Sequence, residues 1–142
     1  MLENLWMGIQ GACTPFNLVC CLLATIEGII VGALPGLGPT IGMSLLIPFT
    51  YSMSPSVALT FLAACYCGTQ YGGSITAILL NTPGTPSAVA TTIEGYQMTL
   101  KGRGGEALNE AAVASFWGGI VSALAFIFLA PVLADFSIQF GS

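Results

Sequence analysis

The chain has 142 residues, 55% hydrophobic and 6% charged, with a net charge of −4 and a mean hydropathy of +0.89. A soluble domain keeps its surface wet with roughly 25% charged residues, so the exterior of this chain must face something other than water. The only basic residues are Lys101 and Arg103, too few for a phosphate backbone, and the continuous apolar runs lack the period-two alternation of a membrane β-barrel. That excludes nucleic acid as a partner and leaves an all-α integral membrane protein in contact with the lipid bilayer.

Residues 1–15 place Leu2, Leu5, Trp6 and Ile9 at near-helical spacing, as in a short interfacial helix with Trp6 at the headgroups. No basic n-region or cleavage site marks a signal peptide. Residues 16–34 form the first long apolar run, about 29 Å as a helix and close to one bilayer core. It carries one acid, Glu27. An acid inside a span is a functional candidate, since it can carry a proton. Pro35-Gly36-Leu37-Gly38-Pro39-Thr40 then breaks the chain, with Pro39 suited to open a new helix. Residues 41–49 are apolar but too short to cross directly and contain Pro48, which predicts a broken or re-entrant element. Ser54 and Pro55 fit the cap and first position of a helix over 57–67. Gly68, Gly72 and Gly73 are expected to interrupt that helix before a further apolar stretch, 74–80. Asn81-Thr82-Pro83-Gly84-Thr85-Pro86 predicts another break, with Thr85 capping a short helix that Pro86 opens. Residues 94–110 hold both basic residues and read as a solvent loop, cytoplasmic by the positive-inside rule. Residues 111–133 are again long enough to span, leaving the membrane near Asp135 on the opposite side.

Two full transmembrane helices thus flank short Gly/Pro-broken or re-entrant helices in the region 16–93. In lipid every unsatisfied backbone group is costly, so broken backbone is tolerated only where it is buried in protein or lines a polar cavity. Interrupted apolar segments of this kind point to a transporter binding site at mid-membrane depth. No Lys, Arg or His lies in this region. An anionic substrate would therefore be held by helix N-termini, each worth roughly half a positive charge. The candidate substrate-binding residues are Pro35, Gly36, Gly38 and Thr40, Gly72, Gly73, Ser74 and Thr76, and Gly84 and Thr85. A coupling cation needs neutral oxygens, and Asn81 and Thr82 are candidates for a Na⁺ site, with Ser74 and Thr85 as further oxygen donors. Gly28 and Gly32, four apart in an unbroken helix, read instead as a helix-packing motif.

Enzyme chemistry is not expected. Serine catalysis of the Ser–His type needs a histidine and there is none, and no G-x-x-x-x-G-K-[ST] loop marks an ATPase. Cys13, Cys20, Cys21, Cys65 and Cys67 lack metal-ligand spacing and read as small apolar packing residues. A passive channel or a non-transporting assembly subunit remains an alternative, since broken helices also line pores.

Gly32-Ala33-Leu34-Pro35-Gly36-Leu37-Gly38-Pro39-Thr40 and Tyr71-Gly72-Gly73-Ser74-Ile75-Thr76-Ala77-Ile78-Leu79-Leu80-Asn81-Thr82-Pro83-Gly84-Thr85 resemble the glycine/proline motifs of the TctA family, the large membrane subunit of tripartite tricarboxylate transporters. Thr14-Pro15-Phe16-Asn17-Leu18 and Glu94-Gly95-Tyr96-Gln97-Met98 fit the same pattern. The resemblance implies a multi-pass permease of the bacterial inner membrane, built from two related halves of which this chain matches the first. It implies uptake of a small di- or tricarboxylate, citrate-like, by symport with Na⁺ or H⁺ and without ATP. It also implies two partners, a small TctB-like membrane subunit and a periplasmic TctC-like solute-binding protein.

Overall fold

The structure is a computed structural model that describes residues 2–140. The side chains of Leu2, Leu5 and Asp135, named above, lie outside those it describes. Its helices are α1 (Leu2–Ala12), α2 (Pro15–Gly32), α3 (Gly38–Thr50), α4 (Pro55–Leu80), α5 (Val89–Leu100) and α6 (Gly104–Phe140), with a 3₁₀ turn at Pro86–Ala88. No strand occurs among the described residues. Two compact units result, Met1–Leu108 and Asn109–Ser142.

The first unit begins at a corner between α1 and α2. Thr14 caps α2 by accepting the backbone N–H of Asn17 (3.4 Å), with Pro15 in the first turn where its missing N–H costs nothing. The fully buried Asn17 amide donates to the carbonyls of Gly11 (3.4 Å) and Ala12 (3.2 Å), closing the end of α1. Its Oδ1 accepts from Thr60 Oγ1 of α4 at 3.0 Å. One polar side chain so ties three helices, and all its groups are paired, as burial requires.

Glycine sets the α2–α4 contact. A Cβ on Gly28 or Gly32 would strike the backbone of Cys65 or Thr69, and one on Gly68 or Gly72 would strike Thr25 or Ile29. Each helix thus carries two glycines four residues apart and lays them on the other's backbone. The contacts advance in the same direction along both helices, so α2 and α4 run parallel. The short α3 returns between them: Gly42 faces Val31, Cys65 and Thr69, while Leu46 joins Cys20, Ala24, Phe61 and Cys65 in the core. Its 13 residues cover about 20 Å, less than a bilayer core, and Pro48 lies within it.

Two sequence expectations are corrected here. Gly68, Gly72 and Gly73 do not interrupt a helix, for α4 runs unbroken over 26 residues. The glycines there are packing surface, and a helix tolerates them because tertiary contact outweighs their weak propensity. Residues 94–110 are likewise not a loop. Gly95 is buried against Ile78 in α5, and only residues 101–103 turn. Gly102, at φ +77°, allows the Arg103 N–H to reach the Met98 carbonyl at 2.9 Å, closing α5 with the left-handed C-terminal turn that favours glycine. Arg103 then pairs with Glu106 at the start of α6.

Among the described residues, two helices are long and apolar enough to cross a bilayer, α2 and the Gly104–Ala130 part of α6. The second unit is the remainder of α6, apolar on all sides with Phe116, Trp117, Leu124, Phe126 and Phe128 exposed, as suits a helix surrounded by lipid or other spans.

Candidate functional site

The chain ends α4 at Asn81 and turns back on itself. Asn81 adopts the left-handed conformation (φ 56°, ψ 24°), and the Thr82 N–H reaches back to the Thr76 carbonyl at 3.3 Å. Asparagine tolerates this geometry better than other side-chain-bearing residues. The following residues descend along α4. Thr85 lies against Gly73, where a Cβ would stand 2.6 Å from its Oγ1 and 2.9 Å from its N. Ser87 reaches Gln70, donating to Oε1 at 2.6 Å. α5 then climbs again to Ile78, whose carbonyl accepts from Thr99 Oγ1 at 2.7 Å. From Leu80 back to Gly73 is about 10 Å of helix, so residues 81–88 form a re-entrant dip of that depth.

The floor of the dip is built from backbone. Gly84 donates its N–H to the Gly73 carbonyl at 3.3 Å, and a Cβ on it would strike the Gly32 carbonyl at the end of α2. Gly32, Gly73 and Gly84 therefore meet as bare main chain, from three separate elements. Thr85 is buried, with its hydroxyl 3.1 Å from Ser87 Oγ. A polar chain Gln70–Ser87–Thr85 results, beside non-helical backbone that is buried at Gly84, Thr85 and Ala88 and exposed at Asn81, Thr82, Pro86 and Ser87. Broken backbone within a bilayer persists where it is buried in protein or lines a polar cavity.

The remaining candidates fall at the same end of the unit. Since α2 and α4 are parallel, the 33–37 turn continues from Gly32 beside the dip. Gly36 (φ +91°) and Gly38 (φ +63°) both take the conformation that favours glycine, and neither has a neighbour that a Cβ would touch. Pro35, Gly36 and Thr40 are exposed. α3 starts here, with no side chain capping its first N–H groups. Ser74 and Thr76 spend their hydroxyls on their own helix, donating to Gln70 and Gly73 carbonyls at 3.3 Å each, a common use of Ser and Thr in helices. Asn81 and Thr82 are exposed, and Thr82 Oγ1 donates to the Leu80 carbonyl at 3.2 Å.

The structure therefore brings Gly72, Gly73, Thr76, Gly84 and Thr85 together with Gly32 and leaves the 33–37 turn and the first residues of α3, Gly38–Thr40, beside them. Of the three helix N-termini expected, only those after residues 37 and 85 exist, because α4 is continuous at 72–76. Gln70 and Ser87 were missed. A glutamine amid an apolar run was the available signal for the first; Ser87 became visible only when the chain doubled back.

The family comparisons bear on this geometry. Residues 18–142 match the model of the tripartite tricarboxylate transporter TctA family. The chain belongs to this family. It is also 46% identical over all 142 residues to an Agrobacterium vitis protein named "Uncharacterized 52.8 kDa protein in TAR-I ttuC' 3'region", of whose length it spans 28%. No solved structure matches. The family is one of membrane transporter proteins, and the broken segments that carried the resemblance are the ones that build the dip.

Proposed function

We infer that this chain forms part of the inner-membrane, multi-pass subunit of a secondary carrier for small di- or tricarboxylates, driven by a Na⁺ or H⁺ gradient. The observation that carries this reading is the dip at 81–88, where Gly84 and Thr85 are buried against Gly32 and Gly73 with Gln70 and Ser87 hydrogen-bonded beside them. It sits beside the uncapped start of α3 in a region without a basic side chain. A carboxylate is held there by N–H dipoles and hydroxyls, from Gly36, Gly38 and Thr40 on one side and Thr85 and Ser87 on the other. A periplasmic solute-binding protein delivers the substrate, and a small membrane subunit completes the complex. The turn at 101–103, with Lys101 and Arg103, faces the cytoplasm. Asn81 and Thr82 stand where oxygen ligands for Na⁺ could be added.

The test is carboxylate uptake by the complete complex in vesicles, using succinate, malate and citrate. Accumulation above the external concentration that collapses with the ion gradient is expected, whereas equilibration alone means a passive channel. Gly36→Val and Thr85→Val should remove substrate binding while the complex still assembles. Unchanged affinity in both variants refutes the site.

A further inference from the structure

One half-buried acid takes no part in the site just described. Glu27 lies in α2 and faces α4, where its Oε2 accepts from Cys65 Sγ at 3.1 Å. Its Oε1 is buried and has no hydrogen-bond partner. Cys65 is fully buried, in the core with Ala24 and Leu46. The next residue, Gly28, packs on the Cys65 backbone, so the carboxyl group lies at the contact between α2 and α4. Five residues further on, Gly32 touches the dip, about 8 Å along the helix.

An ionised carboxylate here would expose one oxygen to low dielectric with no donor facing it, a costly arrangement. A proton on Oε1 removes the charge. The neighbouring elements supply no counter-charge. α3 has no titratable residue. α4 offers Cys65 itself, exposed Tyr66 and Cys67, and Tyr71, whose hydroxyl goes to the Leu108 carbonyl. α2 adds only Cys20 and Cys21, and α1 only Glu3, whose side chain lies outside those described.

We propose that Glu27 is the group that binds and releases the driving proton, holding it on Oε1 when α2 and α4 are packed as here. Release requires the two helices to part, which exposes the carboxyl group to water. Parting also moves Gly32 against Gly84, and so couples the proton to the carboxylate site. This rests on the carrier reading and selects the proton as its ion.

The complete complex in vesicles provides the test. Glu27→Gln should keep carboxylate exchange at equal concentrations on both sides but lose accumulation driven by a pH gradient, and Glu27→Asp should retain accumulation. Accumulation that persists in Glu27→Gln overturns the proposal, as does wild-type accumulation that follows a sodium gradient at constant pH. Loss of exchange together with accumulation assigns Glu27 to packing and overturns it too. A second readout does not depend on transport: dicyclohexylcarbodiimide, which modifies protonated carboxyl groups in apolar surroundings, should label Glu27 more as pH falls. If the complex moves no carboxylate the carrier reading fails, and labelling still decides Glu27, since absent or pH-independent labelling overturns its assignment.

Discussion

Replacing Gly72 by alanine puts a methyl group where α4 meets α2. The new Cβ would lie 2.9 Å from Ile29 Cα and 3.0 Å from its carbonyl carbon, and closer still to the oxygen. Carbon atoms prefer separations of about 3.5–4.0 Å. The obstacle is backbone, so no side chain can rotate away and the helices must separate by ~0.5–1 Å, a gap that forfeits roughly a quarter to a half of each contact's attraction. Between helices in lipid no hydrophobic term offsets this loss. Overpacking costs about 1–3 kcal/mol, and exchanging an interior helical glycine for alanine returns about 0.5–1 kcal/mol. A backbone clash belongs at the upper end of the first range, so the expected net loss is about 2 kcal/mol. Gly28→Ala demands the same separation, so the double variant should cost less than the sum of the single ones. Gly105→Ala, with no atom for its Cβ to meet, serves as the control and should stay within about 0.5 kcal/mol. Thermal unfolding of the complete protein in detergent, followed with a thiol-reactive dye that reports buried Cys20 and Cys65, measures all four. A Gly72→Ala variant as stable as the wild type, with Cys65 still protected, would show that the α2 and α4 backbones do not touch there.

Other consequences are as direct. Asn81→Ala should lower stability by about 1–2 kcal/mol, because alanine resists the left-handed conformation, whereas Asn81→Gly should restore it; if Asn81→Gly also preserves sodium-dependent transport, its amide is no ion ligand. Asn17→Ala strands the Ala12 carbonyl and cuts the links to the Gly11 carbonyl and the Thr60 hydroxyl, which keep other partners, and should cost about 1–3 kcal/mol in the same melts. Arg103→Ala should change stability by less than about 1 kcal/mol, since its pair with Glu106 is exposed. A cysteine placed at position 102 should react with an impermeant maleimide only from the cytoplasmic side; labelling from outside would invert the topology.

Much was legible before any coordinates. Charge scarcity and the long apolar runs were enough to define the membrane class and both spans, because the bilayer imposes length and hydropathy on each segment independently of its neighbours. The break around Pro35 and Gly36, though not its end at Gly38, and the stop at Asn81 were readable for a similar reason: proline and left-handed glycine or asparagine act within a few residues. Glycine without proline was ambiguous. Gly68, Gly72 and Gly73 look the same in one dimension whether they end a helix or flatten its surface, and only the facing glycines of α2, forty positions away in the chain, give them the second meaning. The polarity of 94–110 misled in the opposite sense, since charges at helix ends read like a loop when the buried Gly95 contact is unseen. The dip itself, with Ser87 on Gln70 and Gly84 wedged between Gly32 and Gly73, depends on the chain returning along α4. The same holds for the orphaned Oε1 of Glu27, whose isolation is a property of what α4 and α3 bring to it rather than of the residue. Local backbone preference and segment hydropathy are written along the chain, whereas contacts between distant backbones arise only once the helices pack.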